Sequence, residues 1–309
     1  MIDSATSPSM RASPVLKTLL RGAVDYAGLF PPATLPMASA IREYADYRNG
    51  PDAWALGRFV LPAARLEEFE REGADEVPRE ASKSWALSAL LSSDLEEDVR
   101  RIEAFNERHR DARQGATHVD TVELKAQSAR DIQHAVDLLE RQFDTYMEVP
   151  VTKDPAELIA AIGQTVAKAK IRTGGVTPEA FPTSEQIVRF IQRCVSHDVA
   201  FKATAGLHHP LRAEYPLTYA SDSPRGAMFG FLNVFLATAA AHAERPERDV
   251  VAILEERDAS AIRFDATTVS CRNVTLPAES IVLARNTMTS FGSCSFGEPM
   301  TGLRDIQLL

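Results

Sequence analysis

The sequence predicts an α/β fold, a single (β/α)8 TIM-type barrel, and three observations lead there. Short strand-like runs alternate with amphipathic helical stretches along most of the chain, which demands parallel pairing because each crossover must return across the sheet. Eight such runs occur, near Val24, Phe59, Leu87, Val122, Met147, Lys170, Lys202 and Phe291, the number that closes a barrel. No glycine-rich dinucleotide fingerprint or phosphate loop supports an open nucleotide-binding sheet instead.

Taken in order, residues 1–14 are Ser/Pro-rich and polar, without the basic-then-apolar pattern of a signal peptide, and read as a flexible lead-in to a barrel domain over 15–309. A short helix is expected over 15–20. Residues 23–30 give the first strand, closed by Pro31 and Pro32, and Met37, Ile41 and Tyr44 mark a helix over 35–47. Residues 54–61 form the second strand, ended by Pro62, and 63–72 a charged helix. Residues 85–91 are a continuous apolar run, as befits a strand buried on both faces. The capping-box pattern at 93–96 opens a helix that turns Leu95, Val99, Ile102 and Phe105 inward. Strand 118–124, helix 128–141, strand 145–149 and a helix from Asp154–Pro155 to about 162 follow. A second capping box at 183–186 starts a helix carrying Ile187, Phe190, Ile191 and Cys194, and strand 201–205 comes next. Residues 210–289 break the rhythm and read as a long insertion between the seventh and eighth strands. Within it, 226–243 has the apolarity of a buried helix, 249–256 and 279–288 read as helices, and 262–276 as a hairpin.

Composition bounds the partners. The chain has 309 residues, is 45% hydrophobic, and carries a formal net charge of -9, which excludes the basic footprint that nucleic acid or an anionic membrane surface requires. No apolar run has the length of a membrane span. Cys194, Cys271 and Cys294 are odd in number and lack CxxC spacing, so they read as reduced thiols of a cytoplasmic protein rather than a disulfide framework or a zinc site.

Residues 167–175, Ala-Lys-Ala-Lys-Ile-Arg-Thr-Gly-Gly, organise the functional reading. Lys168, Lys170 and Arg172 alternate with Ala167, Ala169 and Ile171, so this strand packs one face and lays cations on the other. Lys202 lies in a similar run, Phe-Lys-Ala-Thr-Ala-Gly over 201–206, one helix later. Strand-borne lysines followed by small-residue turns suit a cavity that holds an anion or presents a reactive amine.

The motifs resemble, in order along nearly the whole chain, those of the deoxyribose-phosphate aldolase family. Val24-Asp25-Tyr26 with the following Pro-Pro-Ala-Thr is similar to its opening strand and turn, and Arg58-Phe59-Val60-Leu61-Pro62 to its strand ending in Asn-Pro. Residues 115–120 resemble the segment bearing its proton-relay aspartate, here Asp120. Lys170-Ile171-Arg172-Thr173-Gly174 resembles Lys-Thr-Ser-Thr-Gly, whose lysine forms the Schiff base. Residues 201–206 resemble Phe-Lys-Pro-Ala-Gly-Gly, and 291–295 Phe-Gly-Ala-Ser-Ser, which complete a phosphate grip. The chain departs from the pattern at Leu61, which replaces the asparagine, at Ala205 and His208, where glycine and arginine are usual, and in its long 210–289 segment.

The resemblance implies a class I aldolase-like lyase, forming or cleaving a carbon–carbon bond of a small aldehyde or ketone, with or without a phosphate, through an imine on Lys170 and without a cofactor. Lys202 and Asp120 would tune or relay protons, and Arg172, Thr173, Gly174, Thr204, Gly206, His208, Gly292, Ser293 and Ser295 would line the substrate site. Such a lysine must be neutral, and Lys168, Arg172 and Lys202 nearby would disfavour its ammonium form. The bland alternative pairs the lysines with Glu123 and Glu148 as a neutralised barrel lining. Strand alternation puts Asp120 and Glu123 on opposite faces unless a bulge intervenes; the resemblance favours Asp120, the polar set at the strand's end Glu123. Two other readings stay open. His208 and His209 with Glu123 and Glu148 suit a metal-dependent barrel isomerase or hydrolase. A barrel without catalysis would use apolar residues 229–241 as a partner surface. The residues leave oligomeric state open, a homo-oligomer included.

Overall fold

The computed structural model describes residues 13–139, 142–265 and 267–309. Eight parallel strands close a barrel: β1 (Val24–Tyr26), β2 (Leu56–Pro62), β3 (Trp85–Leu90), β4 (Thr117–Lys125), β5 (Asp144–Glu148), β6 (Lys168–Arg172), β7 (Phe201–Thr204) and, completing it between β7 and β1, β13 (Met288–Ser293). The expected lead-in lies outside the described residues up to residue 12. Its last residue, Pro14, already belongs to the fold: Ser13 caps a helix Pro14–Leu20 whose Val15, Leu16, Leu19 and Leu20 are buried.

The alternation of the strands separates two environments. Val24, Tyr26, Phe59, Leu61, Ala169, Ile171, Ala203 and Phe291 lie in the apolar layer under the helices. Asp25, Arg58, Ser88, Glu123, Tyr146, Lys170, Lys202 and Ser290 fill the interior. Burying ionised groups is costly unless they are paired and hydrogen-bonded, so this interior must be electrically matched residue by residue.

The crossover from β7 to β13 is more than an insertion. Its apolar helix, Phe231–His242, sits where a barrel's crossover helix belongs: Phe231 stacks on Phe291 at 4.7 Å, and all but its last two residues are buried. An all-round apolar helix is a core helix, which removes residues 229–241 as a partner surface. What is added around it is a hairpin, β8 (Ala213–Pro216) and β9 (Arg225–Met228), a helix Glu247–Leu254, a three-stranded antiparallel sheet, β10 (Ile262–Phe264), β11 (Thr268–Cys271) and β12 (Val274–Pro277), and a helix Ala278–Thr287. The β8–β9 hairpin escaped the sequence reading because its four-residue strands carry little apolar alternation, and the expected hairpin over 262–276 gains a third strand. Gly230 starts the apolar helix where a Cβ would meet Leu211 Cα and the Pro210 carbonyl at 2.3 Å, so only glycine admits the backbone that passes there.

Candidate active site

At the C-terminal half of the barrel, β4, β5, β6, β7 and β1 each contribute one charged side chain to a continuous ladder. Register places Glu148, Lys170 and Lys202 side by side on β5, β6 and β7. Lys170 Nζ lies 2.8 Å from Glu123 Oε2 and 3.0 Å from Glu148 Oε2. Lys202 Nζ lies 2.6 Å from Glu123 Oε1 and 2.7 Å from Asp25 Oδ2. Glu123 is thus shared by both lysines. The remaining lone pairs are met by neutral donors: Ser88 Oγ donates to Glu123 Oε1 at 2.7 Å, Ser290 Oγ to Asp25 Oδ2 at 2.8 Å, and the Arg58 backbone N–H to Asp25 Oδ1 at 2.9 Å.

Burial by itself would neutralise Glu123 and Lys202, and the pairing reverses it. It would raise the Glu123 carboxyl, but the Lys170 and Lys202 ammoniums hold it well below the usual carboxylate range. Burial would likewise lower Lys202, but the Asp25 and Glu123 carboxylates hold its ammonium above the ordinary lysine value. Lys202 is 1% exposed and borders only the inner cavity in the barrel mouth. Lys170, 6% exposed, is the less enclosed of the two. It lies where a 120 Å³ cavity inside the barrel mouth and an 870 Å³ cavity over β3–β6 share a wall with Glu123 and Arg172.

The cations expected around Lys170 are offset by carboxylates rather than left to crowd it. Lys168 sits one step lower and pairs with Asp144 at 2.9 Å, while Lys170 itself carries two carboxylates. The paired barrel lining that the sequence offered as the bland alternative is the arrangement present.

Asp120 is corrected in the same way. It belongs to a lower charged layer where β5 and β6 begin, with Arg58 Nε at 2.6 Å and Arg58 Nη2 at 3.0 Å. The register jumps from Leu87 opposite Val119 to Ser88 opposite Thr121, making Asp120 the extra residue of a bulge. That bulge resets the alternation so that Glu123, not Asp120, stands beside Lys170. Tyr146 separates the two layers, its ring centroid 5.4 Å from the ammoniums of both Lys168 and Lys202 and its hydroxyl 2.7 Å from Thr289 Oγ1.

The remaining predicted site residues divide between cavity and framework. Arg172, Thr204, His208 and Gly292 line the inner cavity together with Cys294 and Ala205. Thr173 does not; its hydroxyl donates to the Ala205 carbonyl at 2.6 Å and ties the β6 and β7 turns together. Gly174 and Gly206 accommodate the Phe181 ring, which a Cβ would meet at 2.5 Å and 3.0 Å, and Gly206 adopts a left-handed φ of +77°. Ser293 Oγ donates to the Ser295 carbonyl at 2.6 Å and lies 3.1 Å from His208 Nδ1, and Ser295 Oγ accepts the Glu298 N–H at 3.2 Å.

His208 and His209 diverge. The His208 ring is held by Glu298 at 3.3 Å and by Ser293, with Cys294 Sγ at 3.7 Å, whereas His209 stacks on Tyr215 at 3.5 Å. Burial would lower His208, but Cys294 and Glu298 prevail and push it up to about 9, while burial and His208 push His209 down to about 4. Among the described residues, no three His, Cys, Asp or Glu side chains are grouped as a metal site would require.

Asp25, Ser88 and Ser290 were not singled out as site residues from the sequence. Each had a faint signal, a polar side chain inside an otherwise apolar strand. A scan against family models and a search of curated proteins return no match to this chain. Among the described residues, no helix is long and apolar enough to cross a membrane.

Proposed function

We propose that this chain is a class I aldolase-like carbon–carbon lyase that binds a small aldehyde or ketone as an imine on Lys170. One observation carries the reading: Lys170, at the meeting of two cavities, is bracketed by two carboxylates, beside a more deeply buried second lysine that Asp25 and Glu123 keep charged. Glu148, the more exposed of the carboxylates on Lys170, takes the ammonium proton and frees the amine. The amine adds to the carbonyl carbon, and the carbinolamine oxygen leaves as water after receiving one proton from the attacking nitrogen and one from the Glu148 carboxyl. An ammonium and a carbonyl thereby become a protonated imine and water, with no change in total charge. The same Glu123 and Glu148 that pair the ammonium therefore pair the iminium, and no buried charge is created or orphaned on the way. In the cleavage direction, Glu148, a carboxylate again once water has left, takes the proton of the substrate's β-hydroxyl, the carbon–carbon electron pair moves into the iminium, and a carbonyl fragment and an enamine on Lys170 result. Lys202 keeps Glu123 ionised opposite that developing change.

The order of motifs shared with deoxyribose-phosphate aldolases supports the same reading, with Glu123 in the place the resemblance gave to Asp120. The three buried thiols suit the reducing cytoplasm. The test is borohydride reduction in the presence of small aldehydes and ketones, with peptide mass spectrometry. A reduced adduct on the peptide holding Lys170, absent in Lys170→Met, is the expected result. Labelling confined to exposed lysines would remove the reading's main support.

A further inference from the structure

We infer that Lys125, Arg130 and Arg172 form an anion subsite beside Lys170, so that the compound taken there carries a carboxylate or a phosphate away from its carbonyl. The carbonyl half of this statement rests on the imine reading; the anion half does not.

All three cations line the 870 Å³ cavity whose floor is Lys170. That volume lies near the upper end of ligand pockets, roughly 300–1,000 Å³, and a bare aldehyde would leave most of it empty. Among the described residues, none of the three makes an ion pair or a side-chain hydrogen bond, and all are exposed. Lys17, Arg42, Lys153 and Arg263 likewise make none among the described residues; what sets these three apart is that they share one cavity with Lys170. Asp and Glu outnumber Lys and Arg by 43 to 34, and Arg100, Arg101, Arg108 and Arg193 on the outer helices each hold a carboxylate.

The carboxylates inside the cavity are already engaged. Glu123 and Glu148 hold Lys170, and Asp131 accepts the Gln127 N–H at 2.9 Å. Placement also runs against local preference at Arg130. It stands in the first turn of the helix Ala129–Leu139, where the macrodipole disfavours a cation and favours an anion. Arg172 follows Lys170 by two residues on the same face of β6 and lines the large cavity, the inner cavity and a neighbouring one over the β5 and β6 turns. An anion held by Arg172 and Arg130 therefore lies on the β4–β6 side of Lys170. The glycine turn on the opposite side offers less, because the Phe181 ring covers Gly174 and Gly206.

The test uses calorimetric titration of the full chain at low ionic strength, with inorganic phosphate in one arm and succinate in the other. Both arginines are exposed, so an Arg130→Gln/Arg172→Gln double variant keeps the fold, which its urea midpoint verifies. Saturable binding is expected, weakened by salt and reduced about a hundredfold in the double variant, since each charge-assisted contact is worth about tenfold. Preference for phosphate over succinate, or the reverse, names the acidic group. No binding of either anion to the wild-type chain, or undiminished binding by the double variant, overturns the subsite. Borohydride trapping with glyceraldehyde 3-phosphate against glyceraldehyde, and succinic semialdehyde against butanal, separates the two claims. Anion binding without any Lys170 adduct leaves the subsite standing and the imine reading refuted. Equal trapping of charged and neutral partners, without anion binding, does the opposite.

Discussion

Lys202→Met tests whether the buried ladder is one coupled network. The perturbation removes a single ammonium that serves two carboxylates, at 2.6 Å and 2.7 Å, from a site 1% exposed. Glu123 is left with Lys170 and the Ser88 hydroxyl, and so stays compensated. Asp25 is left with only the Ser290 hydroxyl and the Arg58 N–H, a buried carboxylate without a cation. Removing one partner of a buried pair costs about 3–5 kcal/mol; because only one of the two carboxylates is orphaned, the lower end, about 3 kcal/mol, is expected. Equilibrium urea unfolding, followed by the fluorescence of Trp54 and Trp85, measures it. Adding Asp25→Asn should recover about 1–2 kcal/mol, since the amide oxygen still accepts the Arg58 N–H and the amide NH2 donates to the Ser290 hydroxyl, while the orphan charge is gone. The pH dependence follows from the directions of the shifts. Glu123, held low, contributes stability that is present above its unfolded value of about 4.3 and is lost as pH falls toward its folded value. Lys202, held high, contributes stability that is present below about 10.4 and is lost as pH rises through its folded value. The gap between wild type and Lys202→Met should therefore be level between about pH 5 and 10 and shrink below about 4. A Lys202→Met chain within about 0.5 kcal/mol of wild type, the scatter of an uncoupled surface site, would refute the network. So would an Asp25→Asn cost that simply adds to it.

Two further outcomes test the framework around the site. His208, pushed up to about 9 against burial by Cys294 and Glu298, should titrate by NMR well above an ordinary imidazole, and Glu298→Gln should lower its midpoint; an unmoved midpoint would assign the shift elsewhere. Its stabilising charge is present below about 6.5 and lost as pH rises through about 9. Gly230→Ala should cost about 1–3 kcal/mol in urea, because its Cβ would meet backbone atoms of Pro210 and Leu211 at 2.3 Å that cannot rotate away; a neutral result would show that this backbone yields.

The barrel was legible in the sequence because each strand announces itself locally. Two-sided burial makes Trp85–Leu90 a continuous apolar run, and the box at Thr183 and Gln186 forms as its residues predict, starting the helix Ser184–Ser196. The lysines were legible for the same reason: Lys168, Lys170 and Arg172 alternate within one strand. What belongs to one element can be read from its own period.

Which groups those lysines meet is not a property of one element. A bulge at Asp120 changes which of two carboxylates stands beside Lys170, and alternation cannot count a residue that leaves the ladder. Asp25 reaches Lys202 from 177 positions away, because the barrel closes β1 against β13 and β13 against β7. The sequence by itself determined the strand count, the helical faces and the two strand-borne lysines, all set by side chains within a few residues of one another. Only the tertiary structure decided that the lysines are paired rather than crowded by cations, that the residue-210 segment contains the barrel's own crossover helix, and that Arg172, Arg130 and Lys125 share a cavity. Each of those depends on closing the sheet into a ring, where charge must balance across strands distant in the chain.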